Sequence, residues 1–128
     1  MWNMKSFELT WHRFSSFDAA RTLFRGKGCI YLQTDAVGNI LRVGECDDPW
    51  ERYKGGTAYA LDAAGHNSGN LYFFAEVKEE SKMRKNLEAN LIFTLQPQYN
   101  NQHKKRPPQV RVQCNHTGDV PKTILERL

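Results

Sequence analysis

A chain of 128 residues is long enough for one hydrophobic core and short of two, so a single domain over residues 1–128 is expected. Hydrophobic residues make up 40% and aromatics 12%, which excludes a disordered tail. No stretch has the length of a membrane span or the unbroken apolar core of a signal peptide. The net charge of +4 has the sign that nucleic acid requires, and residues 101–128, with six Lys and Arg against two acids, account for all of it.

In chain order, "KSFELTWHRF" alternates loosely and predicts a short strand or an ordered lead-in. "SSFDAARTLF" predicts a helix with Ser15 or Ser16 as N-cap and Phe17, Ala20, Leu23 and Phe24 as its apolar stripe; "GKG" breaks it. "CIYLQTDAVGNILRVG" is a hairpin around an Asp-, Gly- and Asn-rich turn. Alternation puts Ile30 and Leu32 on one face and Cys29, Tyr31 and Gln33 on the other. With Thr34 and Asn39 closing the turn, Tyr31 is expected directly across from Arg42. "DDPWERYKGG" is a short helix: Asp48 caps, Pro49 takes the first position, Glu51 completes a capping box and Gly55-Gly56 stops it. Arg52 falls in its body, and Trp50 and Tyr53 read as core or rim.

"TAYALDAAGHNSGN" is a loop, and "LYFFAEV" a strand buried on both faces. "EESKMRKNLEANLIFTL" is the principal helix, with Met83, Leu87 and Leu91 at spacing four and Ile92 and Leu95 widening the stripe; Pro97 ends it. The tail adds an edge strand, "QVRVQC", and a last helix, "VPKTILERL", capped by Asp119. The order implies an α+β sandwich, a three-stranded, mainly antiparallel sheet flanked by helices. The cysteines, Cys29, Cys46 and Cys114, are odd in number and form no CxxC pair, which excludes a disulfide framework or zinc knuckle and predicts a reducing, cytoplasmic setting.

Taken singly, the polar residues have plain accounts: Tyr31 packs on a strand, Arg52 pairs with Asp48, Glu88 faces solvent beside Arg84, and Asn100 caps a turn. Together they form a pattern. Cys29-Ile30-Tyr31 and Arg42-Val43-Gly44 are separated so that ten residues lie between Tyr31 and Arg42. Arg52 follows on a helix, Glu88 sits in "NLEANLI", and Asn100 closes "QPQYN". In this order and on these elements the residues resemble the GIY-YIG nuclease superfamily over roughly residues 28–101. The closing stretch is most similar to the N-terminal nuclease domain of the bacterial excision-repair incision subunit. Residues 102–128 are then a basic C-terminal extension.

The resemblance implies a divalent-metal-dependent endonuclease that hydrolyses DNA phosphodiester bonds. Glu88 would hold Mg²⁺ or Mn²⁺, a hard ion that keeps several waters and takes its other ligands from phosphate oxygens. Tyr31 would orient or deprotonate the attacking water, with Arg42 as the positive charge that helps a phenol ionise. Arg52 would hold the phosphate through a bidentate fork, and Asn100 would brace the site. Lys54, His66, Lys104, Lys105 and Arg106 would contact nucleic acid, "HKKRPP" serving as an electrostatic arm. DNA is the expected partner, with RNA second and no membrane; targeting would come from DNA shape, loop 57–69, a protein partner or a homodimer. Three positions depart from the pattern: Cys29 replaces a glycine, Arg42 the tyrosine of the second motif, and Glu45 a lysine. The first is mild, both residues being small; Arg42 and Glu45 favour an alternative, a catalytically impaired module of the same fold that binds nucleic acid or a protein without cutting.

Overall fold

Strict alternation makes "KSFELTWHRF" a full strand: Phe7, Leu9 and Trp11 are buried between exposed neighbours in β1 (Lys5–Phe14). The computed structural model describes residues 5–53 and 69–127. After β1 come α1 (Phe17–Leu23), β2 (Cys29–Thr34), β3 (Ile40–Cys46), α2 (Pro49–Arg52), β4 (Leu71–Glu76), α3 (Ser81–Leu95), β5 (Val112–Gly118) and α4 (Lys122–Arg127). The expected positions Lys54, Gly55, Gly56 and His66, with the loop up to residue 68, lie outside the described residues.

The sheet has five strands in the order β3-β2-β4-β1-β5, not three. It is mixed: β2 pairs antiparallel with β3 and β4, β4 antiparallel with β1, and β1 parallel with β5. The expected lead-in is thus an interior strand, and the expected edge strand lies a little later in the chain, over Val112–Gly118. The tail strand is hard to place from its residues because "VQCNHTG" has no buried side chain and its partner lies more than a hundred residues away, with no turn to announce the pairing.

Each face of the sheet carries its own core. On one, Leu9, Trp11, Ile30, Leu32 and Val43 meet Leu87, Leu91, Ile92 and Leu95 of α3 and Ile124 of α4. Burying each such aliphatic chain contributes about 1.5–3 kcal/mol before the entropy of ordering it is subtracted. On the other, Cys29, Tyr31, Cys46, Tyr72 and Phe74 meet Phe17, Ala20, Phe24 and Tyr53.

Three local expectations change. Leu23 is not in the stripe of α1 and is 58% exposed; six residues beyond Phe17 it falls roughly 120° away from the buried line. Its place is taken by Arg21, whose Nη2 donates to the Trp50 carbonyl at 2.7 Å. Asp119 does not cap α4, because its carboxylate accepts the Arg13 N–H at 3.0 Å and ties the end of β1 to β5. Tyr31 stands opposite Gly44, not Arg42, which faces Gln33. The Asp35 carboxylate gathers the Val37 and Asn39 N–H groups into a loop that closes on Ile40 instead of Asn39, and the irregularity between Gln33 and Thr34 adds a second residue, so the pairing at Tyr31 moves by two. A two-residue shift preserves the face, so Arg42 remains on the same side of the sheet as Tyr31.

Candidate active site

β3 is an edge strand, and its outward N–H and C=O groups need partners. The segment after α3 supplies them. Gln96 takes a left-handed conformation (φ 51) that turns the chain off the helix. The Gln98 and Tyr99 N–H groups then donate to the Ile40 and Leu41 carbonyls at 3.2 and 2.9 Å. Asn100, buried, finishes the run: Oδ1 accepts the Val43 N–H at 2.9 Å and Nδ2 donates to the Val43 carbonyl at 3.0 Å. Two residues further along the strand, the Glu88 carboxylate is set against the Glu45 N–H, which favours its charged form. The apolar stripe of α3 presses on the sheet while Glu88 reaches its rim.

Glu88 is half-buried, and its carboxyl is pushed up from 4.5 to about 7, chiefly by burial and then by the charge of Glu45; Arg42 and Lys85 act against the shift. Glu45 is itself occupied. Arg84, buried one turn before Glu88, donates from Nε to the Glu45 carboxylate at 2.8 Å and from Nη2 to Asp47. Its Nη1 reaches the Glu79 carbonyl at 3.3 Å. Gly28 leaves room for this guanidinium, since a Cβ there would meet Nη1 at 2.6 Å. The acid that departs from the resemblance is therefore ion-paired from the same helix that carries Glu88.

From the other face comes Tyr31. Its ring stacks on Phe74 at 5.2 Å and passes over Gly44, where a Cβ would come within 2.4 Å of the phenol oxygen. The glycine of the second motif is thus the gap through which the hydroxyl approaches the sheet rim. That hydroxyl is bonded to the hydroxyl of Tyr53, the C-cap residue of α2. Burial holds the Tyr31 phenol well above its ordinary value, with the Tyr53 charge adding and Arg42 alone among the main influences pulling down. Arg42 donates Nη1 to the Tyr99 carbonyl at 3.4 Å, and its buried Nε has no hydrogen-bond partner among the described residues.

Tyr31, Arg42, Glu88 and Asn100 therefore gather on the outer strand of the sheet. Arg52 stays exposed on α2, next to Tyr53. In the basic segment Lys105 and Arg106 are exposed, whereas Lys104 is half-buried with Nζ donating to the Pro97 carbonyl at 2.7 Å. Two residues of the site carried no expectation of a role there, Arg84 and Tyr53. Spacing held a signal for the first, one helical turn from Glu88 on the same face. Nothing local marks the second beyond its place after Arg52. Among the described residues no three His, Cys, Asp or Glu side chains cluster as a metal cage. A lone carboxylate suits a hard ion that draws its other ligands from water and phosphate.

In overall structure the chain is similar to the GIY-YIG N-terminal endonuclease domain of UvrC from Thermotoga maritima, in the crystal structure of a point mutant bound to the catalytic divalent cation. The TM-score is 0.53 at 19% identity, over 67% of this chain and 96% of that one. No protein-family model and no curated protein matches the chain. The fold is GIY-YIG-like, carried here on a five-stranded mixed sheet.

Proposed function

We propose that the chain is a divalent-metal-dependent endonuclease that hydrolyses DNA phosphodiester bonds. One observation carries the reading: within a GIY-YIG-like fold, a half-buried carboxylate, Glu88, and a phenol, Tyr31, approach the same short stretch of β3 from opposite faces, with Arg42 acting on both. The donor set fits Mg²⁺ or Mn²⁺, since Glu88 is a hard oxygen ligand made unfavourable to ionise by burial, and Arg84 leaves Glu88 free by holding Glu45. The bound ion would stabilise charge on the phosphate and the leaving oxygen. Tyr31 orients the attacking water, Arg52 binds the phosphate from its exposed position, and Asn100 fixes the strand on which the site is built. Lys105 and Arg106 provide an electrostatic grip on the backbone.

The test is cleavage of supercoiled plasmid and of a branched DNA with Mg²⁺ or Mn²⁺, wild type against Glu88→Ala. Metal-dependent nicking that the substitution abolishes supports the reading. The second reading, a module that binds nucleic acid without cutting, is favoured by Arg42 in place of the second phenol. It predicts retardation of DNA on a gel with no cleavage by either form. In both readings Lys105→Glu with Arg106→Glu flattens the salt dependence of binding. Deleting residues 104–128 is a poor substitute, because it also removes β5 from the sheet.

A further inference from the structure

We infer that Tyr53 is the positioning residue for Tyr31, holding its hydroxyl and accepting its proton, and so supplies from α2 the second phenol that Arg42 removes from the second motif. This deepens the nuclease reading and rests on it. The geometry begins with enclosure. Tyr31 is 3% exposed, and its hydroxyl has one side-chain partner among the described residues, the Tyr53 hydroxyl. The two rings stand perpendicular at 5.8 Å, and Phe17 packs edge-on against both, at 6.4 Å from Tyr31 and 5.3 Å from Tyr53. Tyr53 is fixed by its backbone as well: its N–H donates to the Pro49 carbonyl at 3.2 Å, one turn after the Asp48 cap. The helix start written in "DDP" therefore sets where the second hydroxyl stands.

The charges around the pair give the bond its direction. Tyr53 sits beside Arg52, which favours its ionised form, while Cys46 and Cys29 oppose it. Tyr31 lies deeper, with Cys46 and Tyr53 opposing its ionisation and Arg42 favouring it. Burial pushes Tyr53 only up to about 12, and Tyr31 further. Negative charge is thus less costly on Tyr53, which in this proposal is the acceptor of the shared hydrogen bond, with Tyr31 as its donor. The Tyr31 oxygen keeps its lone pairs for the attacking water of the proposed reaction. In the step this permits, the water gives a proton to Tyr31, Tyr31 passes its own to Tyr53, and Tyr53 releases one to solvent. The freed electron pair forms the new P–O bond, and the old P–O bond breaks with its pair on the leaving oxygen, which takes a proton from solvent.

A purely structural account also exists, in which two buried hydroxyls simply satisfy one another. The experiment separates them, using the full chain, plasmid DNA and Mg²⁺. Tyr53→Phe, Tyr31→Phe and Glu88→Ala are compared with wild type for kcat and KM from pH 6 to 10, each with its thermal unfolding curve. A fluorinated tyrosine, more acidic, is placed at position 53 as the rescue. Expected are a kcat about 10- to 100-fold lower in Tyr53→Phe at unchanged KM, and a fluorinated enzyme whose pH–rate profile moves to lower pH. A Tyr53→Phe enzyme equal to wild type at every pH, with Tyr31→Phe inactive, overturns the role of Tyr53 and leaves the nuclease reading standing. So does a kcat loss that follows a lowered unfolding temperature while the fluorinated profile stays in place. A wild type that cleaves nothing overturns both.

Discussion

Tyr31 lies across Gly44, close enough that a Cβ built on the glycine would stand 2.4 Å from both the phenol oxygen and the carbon that bears it. The backbone of β3 at this point is ordinary strand, so the glycine serves the ring and not the dihedral angles. Gly44→Ala should therefore cost about 1–3 kcal/mol through overpacking and swing the Tyr31 hydroxyl off the rim. Urea unfolding measures the first effect. A variant that unfolds at the wild-type denaturant concentration would show that the ring has room to yield.

Asn100 holds both polar groups of Val43, and removing it strands a buried N–H and a buried C=O together. Asn100→Ala should lose about 2 kcal/mol, the desolvation penalty of unpaired groups, and speed amide exchange at Val43. Asn100→Asp keeps the acceptor for the N–H but sets a second oxygen against the Val43 carbonyl, so at neutral pH it should not recover the loss. Exchange at Val43 as slow as in wild type would mean that the edge is guarded by something else.

The Arg84–Glu45 pair is nearly closed to solvent, with side-chain exposures of 4% and 11%, while Asp47 at 80% adds little. Arg84→Met leaves Glu45 as an unpaired buried charge and should lose about 3 kcal/mol. Adding Glu45→Gln removes that charge and should recover most of the loss. A double-mutant cycle reads the coupling directly, and additive effects would dissolve the pair.

Glu88 gives a pH signature of known sign. Its folded value of about 7 lies above the ordinary 4.5, so its favourable contribution is complete below pH 4.5 and is lost as the pH rises towards 7. Stability of the metal-free protein should fall over that window by about 1–2 kcal/mol, a figure already reduced for its partial exposure. Glu88→Gln should flatten the curve and be the more stable form at pH 8. Mg²⁺ at pH 8 should raise the unfolding temperature of wild type and leave the variant unmoved. An unchanged pH curve in Glu88→Gln would assign the dependence to another group.

Local rules and the ordered motifs made much of this legible. Ser16 and Asp48 cap as their residue types require, Leu87, Leu91, Ile92 and Leu95 lie against the sheet, and the hairpin faces follow from alternation. The resemblance carried by Tyr31, Gly44, Glu88 and Asn100 anticipated the GIY-YIG-like fold. What escaped were relations that no short window contains. The Tyr31 register failed because Asp35 organises a loop one residue longer than expected, and an irregularity between Gln33 and Thr34 adds one residue more. The strand count failed because β1 and β5 are strangers in sequence, and β5 has too little buried surface to declare itself. Tyr53 was missed because a C-cap aromatic looks the same whether it fills a gap or holds a hydroxyl.

The parallel pairing of β1 with β5 also bears on how the chain reaches this state. The hairpin of β2 and β3 can close within microseconds from local sequence. By contrast, the Thr10 hydroxyl meets that of Thr117 across a separation of 107 residues. A strand made early thus waits, one edge bare, for a strand made late. During synthesis Phe7, Leu9 and Trp11 lack part of their cover until the C-terminal segment emerges, so folding should be slow for a domain of this size and open to aggregation while it waits. The weakly apolar β5 is then less a tail than a latch, and the last to close.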